Sequence, residues 1–270
     1  MKLIERDILA NGIRLHVYRT ETGKRPLVFA HGFSDNGLCF VPIAEQLADD
    51  FEIILYDSRG HGRSEAPQIK TTIIDRAEDL AGLLKVLGLR KPNLLGHSMG
   101  AATVAIYAGL YPGGPSRIVL EDPPPFEMLV PVDPQALEAR KAWHKLAAAN
   151  RQKSIPELVE MNRQESPTWP EAERAPWARS KQQFSLTVFE DGFIDPGLGK
   201  QIMYRITCPV LLLTADPKLG ALYPVQAAEE LVASLPAAWH VNIPGAGYSI
   251  RREQPEAYLK AVRSFLIEAA

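Results

Sequence analysis

The run Gly96-His97-Ser98-Met99-Gly100 sets a hydroxyl between two glycines, after the apolar pair Leu94-Leu95 and before the apolar stretch Ala101-Ala102-Thr103-Val104-Ala105-Ile106. A G-x-S-x-G in that setting predicts a sharp strand-to-helix turn that lifts the serine oxygen clear of the backbone. Positions 96 and 100 need small residues because strand and helix backbones cross closely there, and the helix amino terminus behind Ser98 favours developing negative charge. The chemistry would be attack by Ser98 on a carbonyl carbon, provided a base takes its proton. A glycine-rich turn with an incidental serine is the bland alternative, and the strand–turn–helix context weighs against it.

Elements that could position such a serine are legible on both sides. Segments 3–9, 13–19, 26–31, 51–57 and 93–96 read as strands, and 39–48, 71–88 and 99–110 carry helical periodicity. The alternation predicts a largely parallel sheet. It resumes with a buried strand at Val210-Leu211-Leu212-Leu213-Thr214, a helix over 225–235, a strand over 238–243 and a closing helix over 255–269. Between these halves the character changes: residues 112–176 hold 11 of the 22 prolines. Short helices are expected at 134–150, 153–165 and 170–189, broken at Pro156, Pro167, Pro170 and Pro176. This middle part reads as a helical cap inserted into an α/β core.

The chain from about residue 3 to 269 resembles the α/β-hydrolase superfamily, in its capped serine esterase, lactonase and C–C hydrolase branch. Besides the serine turn, His31-Gly32-Phe33-Ser34-Asp35 is similar to the family's oxyanion loop, and Asp57-Ser58-Arg59-Gly60-His61-Gly62-Arg63-Ser64 to its D-x-R-G-x-G-x-S loop. The resemblance implies an eight-stranded, mostly parallel sheet flanked by helices, with core residues 1–122 and 205–270 and a cap over 123–204. It also implies that the backbone N–H groups of Phe33 and Met99 form an oxyanion hole. His31 and His61 are expected to brace loops, and His97 to point sideways into packing.

Family order puts an acid and then a histidine after the serine. Two acids compete: Asp216 in Leu213-Thr214-Ala215-Asp216-Pro217, about two residues closer to its strand than the family acid commonly lies, and Asp122 in Leu120-Glu121-Asp122-Pro123. The loser of the two should be a turn cap before proline. The base is the clearest departure. Pro244-Gly245-Ala246-Gly247-Tyr248-Ser249-Ile250 is similar to the family's histidine loop, with tyrosine where histidine belongs. A phenol with an ordinary pKa of about 10 does not accept a serine proton at neutral pH as an imidazole of about 6.5 does. His16 and His240 fall in strands, and His144 in the cap is the one histidine that could overhang the site. An engineered substitution, a natural enzyme with another base, and a ligand-binding lineage without turnover all fit this pattern.

Phe126, Met128, Trp143, Trp169, Trp177 and Phe184 are the candidate lining of an apolar chamber above Ser98, suited to an acyl chain or neutral ester. A serine nucleophile argues against dehalogenase or epoxide hydrolase chemistry, which in similar folds uses aspartate. The charge of −2, from 30 basic and 32 acidic residues, offers no surplus for nucleic acid or an anionic membrane. Cys39 and Cys208 are far apart with no CxxC, so neither a disulfide framework nor a zinc site is expected. The amino terminus lacks a long apolar core and no run approaches a membrane span, which predicts an unexported cytoplasmic protein. No metal or organic cofactor is implied, and a homodimer stays open. The leading class is an ester or lactone hydrolase, and the alternatives are a non-catalytic small-molecule binder and a C–C bond hydrolase.

Overall fold

The computed structural model describes residues 1–129, 134–192 and 194–268. The first half runs β1 (Ile4–Ala10), β2 (Ile13–Arg19), β3 (Arg25–Ala30), α1 (Val41–Leu47), β4 (Phe51–Tyr56), α2 (Ile73–Val86), β5 (Asn93–His97), α3 (Met99–Leu110) and β6 (Arg117–Glu121). The insertion follows, with α4 (Phe126–Leu129), α5 (Pro134–Asn150), α6 (Ile155–Glu165), α7 (Glu171–Gln183) and α8 (Pro196–Met203). The chain returns through β7 (Val210–Thr214), α9 (Val225–Ser234), β8 (Ala238–Asn242), α10 (Ile250–Glu253) and α11 (Pro255–Arg263).

All eight strands form one sheet in the order β1-β2-β4-β3-β5-β6-β7-β8. The β1–β2 and β2–β4 pairs are antiparallel and the remainder parallel, so the expected mostly parallel sheet flanked by helices is what forms. Every residue of β4, β5 and β7 is buried, as strands covered on both faces require. One face packs on α2, α3 and α9 through residues such as Leu80, Val104 and Leu231. The other packs on α1 and α11 through Leu47, Tyr258 and Val262. Because parallel strands share a direction, the ends of β3, β5, β6 and β7 open on one edge of the sheet, and the insertion lies over it.

Several expected elements take a different local form. The 39–48 helix opens as a 3₁₀ turn over 37–40 before α1 begins. The 170–189 segment ends as a helix at Gln183, turns extended at Phe184 and resumes as a 3₁₀ turn over 186–190. Pro176 does not break α7: it is the sixth residue of the helix, so the cost is the donor to Ala172 alone. The closing helix gives way to a wider turn over 264–268, and residue 269 of that expectation lies outside the described residues. α8 is an element beyond those expected from periodicity, although Asp195 caps it and Pro196 opens it. α8 packs on α3 so closely that a Cβ on Gly109 would lie 2.1 Å from the Ile202 carbonyl oxygen. No helix among the described residues is long and apolar enough to cross a membrane.

Candidate active site

Ser98 stands between β5 and α3 with φ 51° and ψ −119°, a conformation non-glycine residues rarely adopt, and it is 5% exposed. Its N–H donates to the Glu121 carbonyl at 2.9 Å, while its own carbonyl accepts from Ala102 at 3.0 Å. These bonds fix the turn from both neighbours. The flanking glycines are required by contact. A Cβ at Gly96 would lie 2.4 Å from the Gly100 carbonyl oxygen, and one at Gly100 would lie 1.9 Å from the Ala30 carbonyl oxygen. The loop after β3 therefore rests on the start of α3, bringing Phe33 to the same chamber wall as Ser98 and Met99. Met99 opens α3, where first-turn N–H groups have no acceptor within the helix.

Tyr248 reaches this point from the loop after β8. It is half-buried on the chamber wall that Ser98 also lines, with its phenol near the Ser98 side chain. Burial, with the Asp35 and Asp122 carboxylates nearby, pushes the phenol above the ordinary tyrosine range. A phenol carries a single polar atom, whereas an imidazole presents two nitrogens on different sides of its ring. His97 holds the loop from beneath: its Nε2–H donates to the Tyr248 carbonyl at 3.0 Å, and the two rings lie 4.7 Å apart. The His97 ring is buried, which depresses its basicity well below that of free imidazole.

The two candidate acids differ sharply in surroundings. Asp122, fully buried with φ 41°, accepts the Leu222 N–H at 2.8 Å on Oδ2 and the Tyr223 N–H at 3.0 Å on Oδ1. Burial nevertheless raises its carboxyl to about 7, with the Glu121 and Glu253 carboxylates adding to the rise. None of its leading influences is a cation, such as an imidazolium at 248 would be. Asp216 is placed elsewhere. Its Oδ1 accepts the Lys218 N–H at 2.9 Å and caps the short turn at 217–219, the bland role expected for an aspartate before proline. Its carboxylate is not part of the chamber lining.

The chamber in front of Ser98 has a volume of roughly 830 Å³. Met128, Trp143, Trp169, Trp177 and Phe184 line it as expected from sequence. Phe126 does not. It is buried in the core against Gly199, beside a smaller cavity of about 280 Å³ under α8, because the close approach of α8 draws α4 onto the sheet side. Phe189, Met161 and Leu222 add to the apolar wall beyond the residues expected for it. Charged residues line it as well: Arg76 is tied to Asp191 at 2.5 Å, Lys181 to Asp35 at 3.2 Å and Arg252 to Asp35 at 3.0 Å, while Arg140 donates to the Phe189 carbonyl at 3.0 Å and Glu165 lies on the same wall. The other histidines brace loops or sit apart. His31 takes the Ser58 N–H on Nε2 at 2.9 Å and bonds the Gly32 carbonyl through Nδ1, and His61 bonds the Arg59 carbonyl at 2.9 Å. His144 is exposed on α5 with its ring on Phe189. Among the described residues, no group of three or more His, Cys, Asp or Glu could hold a metal ion.

Comparison with known proteins agrees with this layout. Residues 25–250 match the alpha/beta hydrolase fold family. The chain is 30% identical to the 2-(acetamidomethylene)succinate hydrolase of Mesorhizobium japonicum, over 97% of this chain and 95% of that protein. It is 26% identical to esterase YbfF of Escherichia coli, over 94% and 98%. A crystal structure of E-2-(acetamidomethylene)succinate hydrolase superposes with a TM-score of 0.77 at 25% identity, covering 98% of this chain and 99% of that one.

Proposed function

The chain belongs to the alpha/beta hydrolase fold family, and from that premise we propose that it is a serine hydrolase of neutral carboxylic esters or lactones whose turnover is held down by Tyr248. The observation that carries the reading is Ser98 at φ 51° between β5 and α3, facing an apolar chamber that Tyr248 also lines. Ser98 attacks the carbonyl while the Phe33 and Met99 N–H groups hold the oxyanion; the ester C–O bond breaks, the departing oxygen takes up the serine proton, and water hydrolyses the acyl-enzyme to acid and free Ser98. In this reading Asp122 orients a base at 248.

The substrate class follows from the wall. One relative is named for a succinate derivative, a carboxylate-rich molecule. Here Arg76, Lys181 and Arg252 each already face a carboxylate of the chain itself, and Arg140 donates to the Phe189 carbonyl. A second anion would compete with those partners, whereas Trp143, Trp169, Trp177 and Phe184 offer apolar area to a bulky neutral acyl group. The cap formed by α5 to α7 roofs this space.

A fluorophosphonate probe followed by intact-mass and peptide mass spectrometry tests the reading, because phosphonylation needs a competent serine but not a leaving-group acid. One adduct, located on Ser98 and absent from Ser98→Ala, is the expected result. A protein that binds apolar ligands yet takes no adduct would instead be a binder, the second reading, which a tyrosine at 248 in place of an imidazole favours.

A further inference from the structure

Asp35 lies 4% exposed just past the turn that carries Phe33, and it gathers three cations. Its Oδ1 faces Lys181 Nζ at 3.2 Å, and its Oδ2 faces Arg251 Nη2 at 3.2 Å and Arg252 Nη2 at 3.0 Å. Each cation leads to a different part of the site. Arg251 donates its backbone N–H to Glu121 at 3.0 Å, next to Asp122. Arg252 reaches Glu173 on α7 at 3.0 Å. Lys181, also on α7, spends its other protons on the Ser34 carbonyl at 2.8 Å and the Ser34 hydroxyl at 3.0 Å.

The Phe33 turn is closed by the Asp35 N–H donating to the Gly32 carbonyl at 3.1 Å, and it puts Ser34 at φ 64°. A left-handed serine in a four-residue turn needs outside support to persist. On the far side of Asp35, Asn36 Nδ2 donates to Gln183 Oε1 at 2.8 Å, so α7 grips this loop on both sides of Asp35. Three carboxylates, Asp35, Glu121 and Glu173, stand against Lys181, Arg251 and Arg252 in one buried, balanced cluster. Buried ion clusters add little net stability over apolar packing, because desolvation offsets attraction. What such a cluster fixes is geometry.

We propose that Lys181 is a positioning residue: through Ser34 and Asp35 it holds the Phe33 N–H where an oxyanion would lie, so that the oxyanion hole is complete only while cap helix α7 is docked. The inference rests on the reading of Ser98 as nucleophile. Site formation and cap docking are then one event.

Lys181→Met, similar in length but without donors, is compared with Lys181→Arg in two measurements. The first is the rate of Ser98 phosphonylation, split into kinact and KI. The expected result for Lys181→Met is a fall in kinact of about 10²-fold, the scale of a lost oxyanion donor, with KI within about threefold because the chamber wall is otherwise kept. Lys181→Arg should recover most of the loss. The second is amide hydrogen exchange, which should quicken selectively over residues 31–37 in Lys181→Met. Wild-type kinact in a folded Lys181→Met variant, or a loss carried by KI alone, overturns the proposal. Should the wild type take no adduct, the nucleophile reading fails, and unchanged exchange over 31–37 would separately overturn the Lys181 tie. If Lys181→Met does not fold, Gln183→Leu, at an exposed position, removes the Asn36 tie; unchanged kinact and exchange there are the overturning result.

Discussion

Replacing Tyr248 by His bears most directly on the site. The present phenol offers one polar atom, whose ionisation burial disfavours, while the Asp122 carboxylate accepts the Leu222 and Tyr223 amides. An imidazole has two nitrogens on opposite sides of the ring, one for the serine proton and one for the carboxylate. Loss of a triad member costs serine hydrolases about 10⁴- to 10⁶-fold, so the histidine variant should gain at least about 10³-fold in kcat/KM, or roughly 4 kcal/mol of transition-state stabilisation. The assay is hydrolysis of a p-nitrophenyl ester series between about pH 5 and 9, where the gain should rise with pH as imidazole, with an ordinary pKa of about 6.5, loses its proton.

The same substitution has a second readout. Asp122 sits at about 7, above the 3.8 of a free aspartate, because burial disfavours its charge. A carboxyl raised on folding favours the folded state fully below its unfolded value, and that contribution is lost as pH rises toward the folded value. Stability of the Tyr248 protein should therefore fall between about pH 4 and 7, by on the order of 4 kcal/mol. A histidine at 248 that gains a proton beside Asp122 should flatten this slope, measured by urea unfolding at each pH. A folded His variant with no gain in turnover, or a Tyr248 protein already turning over at about 10 per second, a typical enzyme rate, would refute the assignment of position 248 as the base site.

Three further outcomes are expected. In the Tyr248→His background, Asp122→Asn should lower kcat/KM by about 10³-fold or more, since the imidazole loses its orienter, while Asp216→Asn, a turn cap, should cost less than about threefold on the same scale; equal small losses would place the acid elsewhere. Gly100→Ala, whose Cβ would meet the Ala30 carbonyl oxygen at 1.9 Å, should lose more than about 3 kcal/mol in chemical denaturation or fail to accumulate as soluble protein, and near-wild-type stability would contradict the close crossing of β3 and α3. Arg76→Met removes the cation paired with Asp191, leaving that carboxylate on the Thr71 hydroxyl, and should cost about 3 kcal/mol, read as a lowered midpoint in urea.

The parts of the molecule legible from sequence are those governed by local pattern. β4, β5 and β7 are apolar throughout because both faces are covered, and the glycines around Ser98 are dictated by backbone contact within a few residues. What pattern does not encode is which side chain ends up opposite which. Phe126 has the composition of a chamber residue but faces Gly199, since α8 packs on α3, a consequence of small residues nearly a hundred positions apart. Asp35 and Lys181 meet across 146 residues, and neither carries a local signal beyond being charged.

Position 122 shows how the ambiguity between the acids arises and what resolves it physically. Asp122 and Asp216 each follow a buried parallel strand and precede a proline, so chain position alone treats them alike. The difference lies in the backbone after β7. That segment turns back at Gly220 and aims the Leu222 and Tyr223 N–H groups at the Asp122 carboxylate, while Asp216 is consumed in starting the same turn. One aspartate builds the loop, and that loop holds the other in place. The amides support a carboxylate at 122, yet they do not offset its burial, which is why it stays near 7 rather than falling into the ordinary range. A buried acid left in that condition is matched to a cationic neighbour, and position 248, whose phenol feels the Asp122 charge, is where this fold would supply one.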